Sequence, residues 1–89
     1  MTSEQSVAAT AATRETIQHK LLSFLEARLK TSVTADQDLF ARGLVTSMFA
    51  MELVVQLEQF FGIAIVGADL QLANFRSVNT MTELVLRRQ

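Results

Sequence analysis

Not one proline interrupts the 89 residues of this chain. Nothing in it therefore forces a helix to break or deletes a backbone donor. Apolar residues recur at threes and fours in three stretches. Over residues 14–29, Ile17, Leu21, Phe24, Leu25 and Leu29 fall on one face. Thr13 stands where an N-cap belongs, and Gln18, His19, Lys20 and Glu26 form the polar face. A second stretch, residues 47–61, ends at Gly62, a residue suited to the left-handed position after a helix. A third follows Ser77 as N-cap and presents Val78, Met81, Leu84 and Val85 to a core. It closes on Arg87 and Arg88, which suit the negative end of a helix dipole.

The segments between are less regular. Residues 30–46 form a long connection holding the turn-prone Asp36, Asp38 and Gly43. A loop of that length in a compact domain is functional or carries anchors, here Val33, Leu39, Phe40, Leu44 and Val45. Ile63-Ala64-Ile65-Val66 reads as an extended apolar piece without a partner strand. Gly67-Ala68-Asp69 then opens a short helical turn to about Leu72, and Asn74-Phe75-Arg76 links to the last helix. The expected fold is all-α: a small bundle of three longer helices plus one short helix, with a long loop between the first and second. Residues 1–12, rich in Ser, Thr and Ala, are expected to be a flexible tail, and residues 13–89 the single domain.

Composition narrows the functions. With 49% hydrophobic and 19% charged residues the chain has the makings of a folded domain. A net charge of −1 provides no field to attract nucleic acid or an anionic membrane. No apolar run reaches the roughly 18–20 residues of a membrane span. The absence of cysteine removes disulfides and thiolate metal sites and fits a reducing compartment. The first residues lack the basic start and apolar stretch of a secretory signal. A monomer in the cytoplasm is expected.

The second stretch holds the candidate site. At 100° per residue, Phe49, Phe60, Leu53, Leu57, Ala50, Phe61 and Val54 fill one arc of about 140°, the core face. Met48, Met51 and Val55 lie outside it and make their own stripe toward solvent, flanked by Glu52 and Glu58. Such a stripe suits a surface that meets several partners in turn, methionine being the adaptable apolar side chain. The acids could pair with basic residues on those partners. Ser47, after the glycine-led loop Gly43-Leu44-Val45-Thr46, sits at the border between stripe and core face. A helix start leaves amides free, and a phosphoryl group is welcome there.

Competing chemistry is thin. A nucleophilic serine needs a positioned base, and the single histidine, His19, lies on the polar face of the first helix. Asp36 and Asp38 read as solvated turn formers rather than a cation site. Gly43 and Gly67 lack the spacing of a phosphate cradle. Arg76 could simply be solvated, pair with a loop acid, or contact a phosphate group or a partner.

The segment Asp38-Leu39-Phe40, Gly43-Leu44-Val45-Thr46-Ser47-Met48 and Glu52-Leu53-Val54 resembles the prosthetic-group site of acyl carrier proteins. The likeness extends from about Ile17 to Val85. It implies a non-catalytic carrier with 4′-phosphopantetheine attached to Ser47, Thr46 capping the helix beside it. It also implies a partner face of Met48, Met51, Val55, Glu52 and Glu58. The implied partners are a phosphopantetheinyl transferase, an acyl- or glyceryl-loading enzyme, and downstream synthase or tailoring enzymes. Two departures stand out. The residue before the serine is Thr46 where the family has aspartate, and the second helix is poorer in acids than in fatty-acid carriers. Ser47-Met48-Phe49-Ala50-Met51-Glu52-Leu53-Val54 and Ala73-Asn74-Phe75-Arg76-Ser77-Val78 resemble a narrower group. These are free-standing carriers of glycerate-derived extender units, hydroxymalonyl or methoxymalonyl, in polyketide or mixed peptide–polyketide biosynthesis. A peptidyl, aminoacyl or other discrete carrier remains open, as does an unmodified helical interaction module.

Overall fold

The computed structural model describes residues 12–89. The expected tail lies outside them except for Ala12, which exchanges two hydrogen bonds with Gln89: its N–H donates to Oε1 at 2.6 Å and its carbonyl accepts from Nε2 at 2.9 Å. Among the described residues there are three α-helices, two short 3-10 turns and no strand. Helix α1 is Arg14–Leu29, α2 is Ser47–Phe61 and α3 is Val78–Arg88. The 3-10 turns are Gly67–Asp69 and Leu72–Phe75.

Capping sets the helix starts. Thr13 and Ser77 each accept the amide three residues on, while Thr16 and Thr80 reach back to the cap's own amide. Helix α1 ends on Lys30 at φ 61° and α2 on Gly62 at φ 63°, both left-handed. Glycine adopts that conformation at no steric cost and lysine does not.

The three helices follow the expected boundaries, and the short helical turn expected from Gly67 is present as 3-10 helix. It is followed, after Leu70 and Gln71, by a second 3-10 turn that takes in the Asn74-Phe75 link. Residues 67–75 supply too few consecutive turns to repay helix nucleation. Instead Phe75 is buried and pins the segment to the core. The second turn packs against both α2 and α3, and α1 packs against α3.

The core gathers Ile17, Leu21 and Leu25 of α1, Leu53 and Leu57 of α2, and Val78, Met81, Leu84 and Val85 of α3. Each fully buried aliphatic side chain stabilises the fold by about 1.5–3 kcal/mol. The buried strip of α2 is narrower than the arc predicted for it. Ala50, Leu53 and Leu57 are buried, whereas Phe49, Phe60, Phe61 and Val54 at its edges are half-buried. A bundle this small covers only the middle of the arc. On one edge, Phe24 of α1 stacks on Phe49 (centroids 6.4 Å apart) and meets Phe60 edge-on (5.6 Å). Lys20 Nζ lies 5.1 Å from the Phe60 centroid and Arg28 Cζ 4.7 Å from that of Phe49. Lys20, Phe24 and Arg28 are four residues apart on α1, so one stripe of that helix covers the aromatic edge of α2.

The long loop is tied down as expected. Val33, Leu39 and Val45 are buried, Phe40 and Leu44 half-buried. The Leu39 amide donates to the Arg76 carbonyl at 2.8 Å, and the Asn79 amide to Ala35 O at 2.9 Å, so the loop rests on the start of α3. Of Ile63–Val66, Ile65 is buried and Ala64 and Val66 are exposed, the alternation of an extended segment.

Candidate functional site around Ser47

The approach to Ser47 is built from backbone bonds. The Leu39 carbonyl accepts the amides of both Leu44 and Val45, at 3.1 and 3.2 Å. The Gly43 amide closes a turn onto Phe40 O at 3.0 Å, with Gly43 at φ 75°. Val45 is thereby held in the core, and the next residue leaves the loop as the N-cap of α2. Thr46 Oγ1 accepts the Phe49 amide at 3.1 Å and its carbonyl accepts that of Ala50 at 2.9 Å. Ser47 is the first helical residue, and its side chain is exposed. Helical geometry leaves the amides of Ser47 and Met48 without an intrahelical acceptor. No acidic side chain occupies the first turn. An anion placed at this helix start would meet free amides, the positive end of the dipole and no acidic side chain in the first turn.

Ser47 also stands on the rim of a groove. Met51 and Val54 of α2, Leu70 and Leu72 between and within the 3-10 turns, and Phe75 beneath line it with Ser47. Sequence reasoning did not single out Leu70 and Leu72, which carry no local signal for a place in this lining. Both leucines are about half-exposed, at 54% and 50%. Their placement on one wall opposite α2 is a product of packing.

The expected partner face divides. Met48, Met51 and Val55 are exposed, at 82%, 71% and 49%. Thr46 and Ser47 adjoin them. Glu52 lies beside the stripe but is held by Arg28, Nη2 to Oε1 at 2.6 Å. Arg28 thus joins α1 to this surface, a link hidden from the sequence. Glu58 is turned elsewhere: half-buried, its Oε2 accepts the Ile65 amide at 2.8 Å.

The residues that could have carried other chemistry are accounted for. Asp38 Oδ1 accepts the Ala41 amide at 2.9 Å, and Oδ2 meets Arg76 Nη1 at 3.2 Å. That amide first, and the guanidinium after it, hold the Asp38 carboxyl below its ordinary value. Asp36 Oδ1 accepts the Thr34 hydroxyl at 3.0 Å. His19 is exposed. Among the described residues no three potential ligands converge for a metal, and no helix is long and apolar enough to cross a membrane.

A small helical bundle that displays a serine at a helix start, over an apolar groove, is the architecture of a carrier domain. The sequence model of the family described as phosphopantetheine attachment site matches residues 16–85. The chain belongs to that family, whose members carry a covalently attached 4′-phosphopantetheine and work with phosphopantetheinyl transferases and biosynthetic enzymes. A search of curated proteins returned no match.

Proposed function

We propose that Ser47 is the attachment residue and that the chain holds an acyl group as a thioester on the arm, presenting it to biosynthetic enzymes. The observation that carries this reading is that Ser47, the first residue of α2, is exposed and lies within the matched family segment. In the modification, Ser47 Oγ attacks the phosphorus that bears the pantetheine group in coenzyme A. An O–P bond forms, the anhydride P–O bond breaks, adenosine 3′,5′-bisphosphate leaves, and the hydroxyl proton passes to a base on the transferase. The arm's thiol then supplies the thioester chemistry. The chain supplies position: free amides for the diester, a cap on Thr46, and an exposed stripe, Met48, Met51 and Val55, for docking. Tethering raises the effective concentration of cargo at each docked active site. Glu52, and more remotely Glu58, would border that docking. The protein itself turns nothing over and acts as a cytoplasmic monomer.

The cargo we infer is a short polar polyketide extender unit of glycerate origin. The support is the likeness of residues 47–54 and 73–78 to such carriers, together with the chemistry of a polar cargo, which gains little from an apolar core. A peptidyl, aminoacyl or other discrete carrier is the alternative.

Incubation with coenzyme A and a broad-specificity phosphopantetheinyl transferase, read by intact mass, tests the attachment. Wild type should gain one phosphopantetheine and Ser47→Ala none. No gain in wild type refutes the carrier reading, and partner binding that survives Ser47→Ala would favour an unmodified interaction module. The cargo is tested by presenting the modified protein with 1,3-bisphosphoglycerate and a glyceryl transferase. A glyceryl thioester is expected; its absence beside a working positive control argues for another cargo.

A further inference from the structure

We infer that the cleft on the α1 side of Ser47 is a resting site for the phosphopantetheine arm, whose amides are held by Arg28 and Glu52. This rests on Ser47 being the attachment residue.

Two hollows adjoin the start of α2. One is the groove toward the 3-10 turns. Its lining carries no formal charge and, Ser47 apart, only Gln71 as a polar side chain. The other lies between the end of α1 and the start of α2. Thr46 and Met48, the residues on either side of Ser47, both line it. Leu29, Leu44 and Phe49, each half-buried, give it an apolar surface, and Arg28 and Glu52 give it a polar one.

The chemistry of the arm fits this mixed lining. Beyond the diester it carries a dimethyl-substituted carbon, a hydroxyl and two amides before its thiol. An amide needs a donor for its carbonyl and an acceptor for its N–H at the same time. Arg28 Nη2 meets Glu52 Oε1 at 2.6 Å, which leaves the other guanidinium N–H groups and Oε2 as that donor and acceptor, side by side. The guanidinium also lies over Phe49, Cζ 4.7 Å from the ring centroid, so it has little freedom left to lose on binding. The methyls would remove apolar surface of Leu29, Leu44 and Phe49 from water.

The groove offers the arm less. Its amides would lose water there against leucines and Phe75, with Gln71 alone to receive them, and an unpaired amide in apolar surroundings is costly. The polar arm therefore belongs in the cleft. The side chains of Arg28 and Glu52 are 47% and 52% exposed, so hydrogen bonds to them compete with water and the hold is weak and reversible. A tethered group needs no more, since its effective concentration is about millimolar.

The test compares the isotope-labelled chain before and after complete modification with coenzyme A and a transferase, completeness being checked by intact mass. Modified wild type should show changed amide shifts at Arg28 and Leu29, which lie on a different helix from Ser47. Nuclear Overhauser contacts should run from the arm's methyls to Leu29, Leu44 or Phe49, and none to Leu70 or Leu72. Arg28→Ala with Glu52→Ala, fully modified and referred to its own unmodified form, should lose about half or more of the shift change at Leu29, shifts being population averages. Contacts to Leu70 or Leu72 in place of the cleft, unchanged shifts at Arg28 and Leu29, or a wild-type shift change in the double variant would each overturn the proposal. Should the double variant unfold, the contacts in wild type decide. A wild type that gains no phosphopantetheine sinks the attachment reading itself; a gain without cleft contacts sinks only the resting site.

Discussion

Glu58 reaches past the end of its own helix and accepts the backbone N–H of Ile65 at 2.8 Å. Glu26 does the same for Val33 at 2.9 Å. In both cases the acid stands four residues before the left-handed cap, Lys30 or Gly62, and its backbone carbonyl receives the cap's amide. One residue thus fastens both the helix end and the following chain, and each capped chain then delivers an apolar residue to the core.

Replacing Glu58 by Ala should lower unfolding stability by about 1–2 kcal/mol, since a part-buried amide loses a charged acceptor. Glu58→Gln, which keeps an acceptor, should lose less than half of that. Urea unfolding followed by circular dichroism measures both.

Thr46→Ala removes the only side-chain cap of α2 and should cost about 1 kcal/mol. The Phe49 amide loses its acceptor, so its hydrogen exchange should quicken relative to Leu57. Ser47 keeps its hydroxyl, and intact mass should still show modification.

Asp38 makes a pH-dependent contribution. Its carboxyl titrates below the ordinary value of 3.8 because the native state favours the ionised form through the Ala41 amide and Arg76. The contribution is fully present above 3.8 and is lost as pH falls through the lower native value. Wild type should therefore lose an increment of Tm over that acidic window that Asp38→Asn does not lose. Parallel melts from pH 6 downward, referenced to about pH 6 for each protein, give the difference.

Arg88→Ala should destabilise by about 1–3 kcal/mol, because it strands the inward-facing Asp69 carboxylate. Removing both charges, as Asp69→Asn with Arg88→Ala, should recover part of the loss. A double-mutant cycle in denaturant measures the coupling.

The helices were legible because their signals are local. Thr13, Thr46 and Ser77 cap, Gly62 terminates, and the apolar residues of all three helices recur with the helical period. Lys30 gave no comparable sign, since its left-handed turn is imposed by the contacts around Glu26 and Val33. Ser47 was legible for the same reason as the caps: the glycine turn, Thr46 and the apolar run adjoin it in the chain. Glu52 and Glu58 look alike in a helical projection, yet Arg28 holds one and the Ile65 amide the other. Those partners depend on how α1 and the 63–66 segment lie against α2.

By itself, then, the chain's order of residues determined the three helices, the position of Ser47 at a helix start and the exposure of Met48, Met51 and Val55. All of these follow from periodicity and hydrogen bonding within a few residues. Tertiary structure alone decided that a second 3-10 turn, Leu72–Phe75, follows the one at Gly67, that Leu70 and Leu72 line a groove with Met51, and that Asp69 meets Arg88. These are contacts between segments distant in sequence, and their energies appear only when the core closes around Phe75.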